Sequence, residues 1–169
     1  MVRQFSAGGV VFRKKDNQIL WLLIQPAGGP ARKSLRFALA GGDEFHKQIR
    51  WQLPKGLVGE DEKMEETAVR EVAEEGGVKA KIIAKIDTIK IFFRNTFEGK
   101  PEEKVLKTIT FYLMEYLGEK TDGHDEEVAE IAWLAFEEAK EKLTFKSEKE
   151  ILEKAKEMLP IFDSQLKIF

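Results

Sequence analysis

"GLVGEDEKMEETAVREVAEEGGV", residues 56–78, decides how this chain is read. It holds eight acidic side chains, with Arg70 its one arginine and Lys63 its one lysine. An α-helix turns about 100° per residue, so faces follow from counting. With Glu71 as zero, Glu75 falls about 40° to one side and Glu74 about 60° to the other. These three carboxylates share a face. Met64, Ala68, Val69, Val72 and Ala73 sweep out a neighbouring apolar face that can pack on a sheet. The pattern predicts a helix from about Glu62 to Gly76, with Asp61 as N-cap and Gly76 and Gly77 as its end. Like charges one turn apart repel, by roughly a few tenths of a kcal/mol in solvent and by more where water is excluded. A solvated acidic face accounts for Glu65 and Glu66. It accounts poorly for Glu71, Glu74 and Glu75, which border the core side. Mg²⁺ and Mn²⁺ prefer oxygen ligands and bind through a few carboxylates plus water and substrate phosphates, so a dication would turn the repulsion into binding.

The rest of the chain sets bounds on that reading. Its 169 residues suffice for one domain with a real core, taken here as 1–169, and 43% apolar with 34% charged residues is a globular composition. A net charge of -2 gives no basic field for nucleic acid, so none is expected as a partner. There are no cysteines, which excludes a disulfide framework, a thiol nucleophile and a cysteine zinc site. The N-terminal run is too short and too broken by glycine for a signal peptide, and no apolar run approaches a membrane span. The expectation is a cytoplasmic protein with no membrane partner, as a monomer or a homodimer.

"FSAGGVVFRKKDNQILWLLIQ" predicts a hairpin turning at Asp16 and Asn17. Residues 26–50 are irregular, rich in Gly and Pro, and basic: Arg32, Lys33, Arg36, Lys47 and Arg50 against Asp43 and Glu44. "WQLPKG" predicts a short strand stopped by Pro54 and Gly56. Residues 81–97 and 104–117 alternate as long strands around "EGKPE", "DGHDEEVAE" is an acidic loop, and "EIAWLAF" is a short strand. Helices are predicted over 136–143 and 147–159, the second with Ser147 as N-cap and Glu150 completing a capping box.

The 56–78 stretch resembles the Nudix box, G-x5-E-x7-R-E-U-x-E-E-x-G-U with U a bulky aliphatic. Gly56, Glu62, Arg70, Glu71, Val72, Glu74, Glu75, Gly77 and Val78 fill its fixed positions at the correct spacing. "SAGGVVF", "WQLPKG" and "IAWLAFEEA" resemble the family's first strand, box lead-in and closing strand-helix. The resemblance implies an α/β fold, an α/β/α sandwich with a mixed sheet. It also implies a hydrolase of nucleoside diphosphates linked to another group, cutting a phosphoanhydride by water attack on phosphorus with Mg²⁺ or Mn²⁺.

By the same resemblance, Glu71, Glu75 and Glu74 ligate metal together with the Gly56 backbone carbonyl. Arg70 pairs with Glu62 and orients the glutamate that follows it. The base is a box glutamate or one from a later loop. Glu127, six residues before Trp133, is taken as an extra ligand or base; Glu126 and Glu130 are alternatives, and a solvated loop acid is the plain reading. Lys55, in "LPKG", adjoins the metal loop and suits a phosphate oxygen, with a plain surface lysine as the competing view. Arg50, Arg94 and Lys107 are further substrate candidates, with plain surface charge as the competing view. His46 and His124 are isolated and are assigned no chemistry.

Within the family the chain most resembles the asymmetric dinucleoside tetraphosphatases, which cut diadenosine tetraphosphate, so a nucleotide polyphosphate is the expected small-molecule partner. Two features depart from that group. The tyrosine that stacks on adenine, two residues before the closing tryptophan, is Ile131 here. Phe145 would offer a stacking surface, or would be core. The 26–50 segment is also longer than usual. The other readings are a different Nudix specificity (a nucleotide-sugar, ADP-ribose, a diphosphoinositol polyphosphate or an oxidised nucleoside triphosphate) and a Nudix-fold nucleotide sensor without catalysis.

Overall fold

The apolar patterning resolves into one mixed sheet between two helical layers. The computed structural model describes residues 1–27, 49–96, 99 and 101–166, with the backbone alone for 161–166. In chain order the elements are β1 (Val2–Lys15), β2 (Gln18–Pro26), β3 (Lys55–Leu57), α1 (Met64–Gly76), β4 (Val78–Asn95), β5 (Glu103–Glu119), β6 (Val128–Leu134), α2 (Phe136–Lys142) and α3 (Lys146–Leu166). The strand order is β4-β5-β1-β2-β6, with β3 paired to β1. β1 runs antiparallel to β2 and β3 and parallel to β5, which makes the sheet mixed.

Alternation along β1 and β5 builds both layers, because successive side chains leave opposite faces. On one face Ala7, Val11, Leu22 and Met114 receive Ala68 and Val72 of α1. On the other, Val10, Trp21, Leu23, Phe111 and Leu113 receive Ala139 of α2 and Ile151, Leu152 and Ala155 of α3. The result is the α/β/α sandwich that the resemblance implied. Among the described residues, no helix is long and apolar enough to cross a membrane.

The first hairpin turns where expected, with Asp16 and Asn17 at φ 51° and 60°. That left-handed pair matches the twist of its strands. Strand limits shift by a few residues, and three further boundaries near the site differ from expectation. Helix α1 starts at Met64, with Lys63 in the extended N-cap position, rather than at Glu62 after Asp61. Asp61 has φ 59°, a turn conformation, and the Glu66 carboxylate accepts the Lys63 N–H at 3.0 Å instead. The third strand is Lys55–Leu57, after Pro54; before it, Gln52 makes a single bridge with Ile24. Helix α3 starts at Lys146, which puts Ser147 inside the first turn, and it continues through Pro160. Its opening N–H groups, those of Glu148 and Lys149, donate to the Phe145 carbonyl. For the basic 26–50 segment, residues 28–48 lie outside the described residues, and His46 with them.

Candidate active site

The site is built where β3 passes under α1. Arg70 is its organiser. Its Nε and Nη2 donate to the two oxygens of Glu62, at 2.8 and 3.1 Å, and Nη2 also reaches the Leu57 carbonyl at 3.2 Å. Nη1 donates to Glu71 Oε1 at 2.8 Å and to Glu74 Oε2 at 3.0 Å. A planar guanidinium suits this fan of acceptors because its donors leave in fixed directions. The Arg70 hydrogen bonds hold the Glu62 carboxyl below its ordinary range, aided by the Gly59 N–H. Glu62 Oε2 accepts that N–H at 3.0 Å, which ties the loop before α1 to the arginine.

Glu71 and Glu75 are both buried, an uncommon state for carboxylates. Burial raises the Glu71 pKa. Arg70 opposes that rise, and the negative charges of Glu74 and Glu127 add to it. Glu75 Oε2 accepts the Lys55 N–H at 2.9 Å, so the two glutamates flank the start of β3. Gly56 follows Lys55 and packs against Glu71. A Cβ there would sit 2.0 Å from Glu71 Oε1, so only glycine lets the backbone approach this carboxylate.

The acidic loop is tied to the far end of the same helix. Gly77 closes α1 at φ 67°, and a Cβ on it would meet the His124 nitrogen at 2.8 Å. Asp125 N–H donates to the Glu74 carbonyl at 2.7 Å and Lys120 N–H to the Gly77 carbonyl at 2.8 Å. This brings Glu127 close enough for its charge to act on Glu71. Its own backbone carbonyl accepts the Ala27 N–H at 2.8 Å. Glu126 and Glu130 are exposed beside it.

On the α3 side, Lys55 Nζ donates to the Leu53 carbonyl at 3.2 Å and pairs with Glu148 Oε1 at 2.7 Å. Lys107 is half-buried in β5. Its pKa falls from 10.5 to about 8, because of burial first and the Lys55 charge second, against the pull of Glu75, Glu148 and Glu71. The structure therefore gathers Lys55 and Lys107 beside the acidic pair. Arg94 stands apart, exposed and paired with Glu102 at 2.9 Å. Arg50 is half-buried just before Trp51, and Phe145 is half-buried at the start of α3. His124 is exposed, with Nδ1 3.0 Å from the Asp125 carbonyl.

Sequence reasoning missed Glu148. It is 2% exposed and accepts the Leu53 N–H through Oε2 at 2.8 Å, across a separation of 95 residues. A glutamate in the opening turn of a helix reads as a favourable interaction with the helix dipole, which hides a tertiary role.

Whether these groups suit a dication is a question of donor chemistry. Among the described residues, no three acidic or histidine side chains already stand close enough to hold a metal ion. Arg70 is bonded to one oxygen of Glu71 and one of Glu74. The set is nevertheless all oxygen: two buried carboxylates, a third at the rim, and glycine backbone pressed against Glu71. Repulsion from Glu74 and Glu127 on Glu71 is a field that a hard cation would offset. The residues fit the group.

The family model described as NUDIX domain matches residues 2–155. This chain belongs to the Nudix family. A protein named mutator protein MutT4, from Mycobacterium tuberculosis (strain CDC 1551 / Oshkosh), is 34% identical over 158 residues, 94% of this chain and 56% of that protein. The chain thus spans little more than half the length of that relative. Solved Nudix-like structures share the fold. A C. elegans Ap4A hydrolase in a binary complex has TM-score 0.58 at 20% identity, covering 98% of this chain and 99% of its own. A NUDIX hydrolase from Nitrosomonas europaea has TM-score 0.59 at 15% identity, covering 90% and 87%.

The depressed Lys107 pKa has a consequence for stability. The folded value, about 8, lies below the ordinary 10.5, so between them the unfolded chain binds more protons and stability rises with pH. Below about 8 the cost of burying the cation is fully present. Lys107→Met is therefore expected to be more stable than the parent at neutral pH, with the gain shrinking as pH rises through about 8 towards 10.5. Urea midpoints of both proteins across that range measure it. A pH-independent difference would contradict it.

Proposed function

We propose that this chain hydrolyses a phosphoanhydride in a nucleoside diphosphate-linked compound, and that a dinucleoside tetraphosphate such as diadenosine tetraphosphate is its substrate. The observation that carries the reading is the Arg70 fan. One guanidinium fixes Glu62, Glu71 and Glu74, while Glu71 lies buried against the Gly56 backbone and Glu75 lies buried on the Lys55 N–H. A scaffold for folding alone would not bury two carboxylates so close to a third. The likeness to the C. elegans Ap4A hydrolase adds support through the fold.

Glu71, Glu75 and Glu74, with the Gly56 carbonyl, would hold Mg²⁺ or Mn²⁺. When bound, such ions lower the pKa of water and neutralise charge on phosphate oxygens. The chain's own residues do the rest. Arg70 keeps Glu71 and Glu74 oriented, and the Glu62 bond keeps Arg70 in place. Lys55 and Lys107 present cations to the phosphate chain on the α3 side. Glu127, delivered by the loop anchored at Gly77 and Glu74, takes the proton of the attacking water. Phe145, near the Lys55 end, offers a face for a base.

Incubation with Mg²⁺ or Mn²⁺ and a panel of dinucleotides, sugar nucleotides and nucleoside triphosphates tests this. The expected result is fastest cleavage of diadenosine tetraphosphate, releasing ATP and AMP in equal amounts. Faster cleavage of a triphosphate or sugar nucleotide would replace the specificity and keep the chemistry. Tight binding of one compound with no cleavage of any would make the chain a sensor.

A further inference from the structure

We propose that Glu148 is a positioning residue that sets the Lys55 ammonium for a phosphate group. Its carboxylate, 2% exposed, has both oxygens engaged, and both bonds go to the lead-in of the box. Oε2 accepts the Leu53 N–H at 2.8 Å, and Oε1 accepts from Lys55 Nζ at 2.7 Å. An ammonium has three N–H donors. The Leu53 carbonyl and Glu148 take two, which leaves the third for an anion. A lysine stem is otherwise flexible, and a phosphate-binding lysine that must be ordered on binding loses affinity. The Lys55 side chain is only 13% exposed, and its charge acts on Lys107. Two cations held this close repel, and a carboxylate beside them offsets that repulsion.

Holding 51–55 against the C-terminal helices does not require Glu148. Thr144 Oγ1 accepts the Trp51 N–H at 3.0 Å, and Thr144 N–H donates to the Trp51 carbonyl at 3.0 Å. Glutamine at 148 would still accept the Leu53 N–H. It would not supply the second acceptor or the charge that Lys55 uses. The role thus separates from that of a clamp.

The inference rests on the reading of this site as one that takes polyphosphates. Its test is binding of inorganic tripolyphosphate by calorimetry in the full chain, without added dications. Glu148→Gln is expected to weaken binding about tenfold, the weight of one hydrogen bond to a charged group. In a Lys55→Met background the same change is expected to alter binding by less than about twofold, since the lysine it acts through is gone. Thr144→Ala, which loosens the clamp without touching Lys55, is expected to leave binding within about twofold of the parent. Should Glu148→Gln not fold, Glu148→Asp keeps the charge and withdraws it by one methylene, with the same expected loss and the same dependence on Lys55. The inference is overturned by tighter or unchanged binding in Glu148→Gln, by an equal loss in the Lys55→Met background, by an equal loss in Thr144→Ala, or by no tripolyphosphate binding in the parent. Failure of hydrolysis across the nucleotide panel would overturn the proposed function while leaving this binding cycle intact.

Discussion

Glu75→Gln is expected to lower turnover about a thousandfold while the protein stays folded, because the proposed role of Glu75 makes several kcal/mol of transition-state charge stabilisation depend on its charge. Folding survives for a specific reason. Glu75 Oε2 accepts the Lys55 N–H at 2.9 Å, and a glutamine oxygen can accept the same bond. The substitution keeps the number of heavy atoms in a buried position, so it leaves no cavity. What it removes is the negative charge beside Gly56 and Glu71. Nucleotide affinity is expected to change far less than kcat, since Lys55 and Lys107, the proposed phosphate contacts, are untouched. Steady-state kinetics with diadenosine tetraphosphate, beside a thermal melt, measures both. A turnover within about threefold of the parent would take Glu75 out of the chemistry.

How much of this was legible beforehand depends on the distance each feature spans. The 3.6-residue period of 64–76 was readable because Ala68 and Val72 must face the sheet, and Glu71 and Glu75 follow from the same count. The hairpin at Asp16 and Asn17 was readable because those residues tolerate left-handed backbone. The starts of α1 and α3 were not. Asp61 and Ser147 are good caps in isolation, but the Glu62 bond to Arg70 draws the chain into a turn at 61, and Glu148 is pulled inward to Leu53 and Lys55. In both places side-chain contacts outside the cap set the local backbone, and a cap preference worth about 1 kcal/mol is not realised. Lys107 shows the same limit. Alternation placed it on a strand, but only the pairing of β5 and β3 with β1 brings it beside Lys55 rather than into solvent. Glu148 was hardest to read because its partner Leu53 lies 95 residues away and no sequence period connects them.

Arg70→Ala is expected to harm stability and activity together, which separates it from Glu75→Gln. Removing the guanidinium deletes the hydrogen bonds to Glu62, Glu71, Glu74 and the Leu57 carbonyl at once. The penalties are unequal. Glu62 and Glu74 can turn to water, and an Arg70 side chain 38% exposed is screened, so those contacts contribute little. Glu71 is buried, and without Arg70 it keeps the repulsion of Glu74 and Glu127 that already raises its pKa. Leaving one such carboxylate without its partner costs about 2 kcal/mol after discounting for exposure. For a chain of this size that lowers the melting temperature by about 4–8 °C. Activity falls further than stability alone explains, because Glu71 and Glu74 lose their common anchor. Arg70→Lys is the control. A single ammonium cannot serve Glu62 with two bonds and also reach Glu71 and Glu74, so it is expected to recover part of the stability and little of the rate. An Arg70→Ala melt equal to the parent's would show that Glu71 finds another partner, and that the fan is not what holds the acidic face in order.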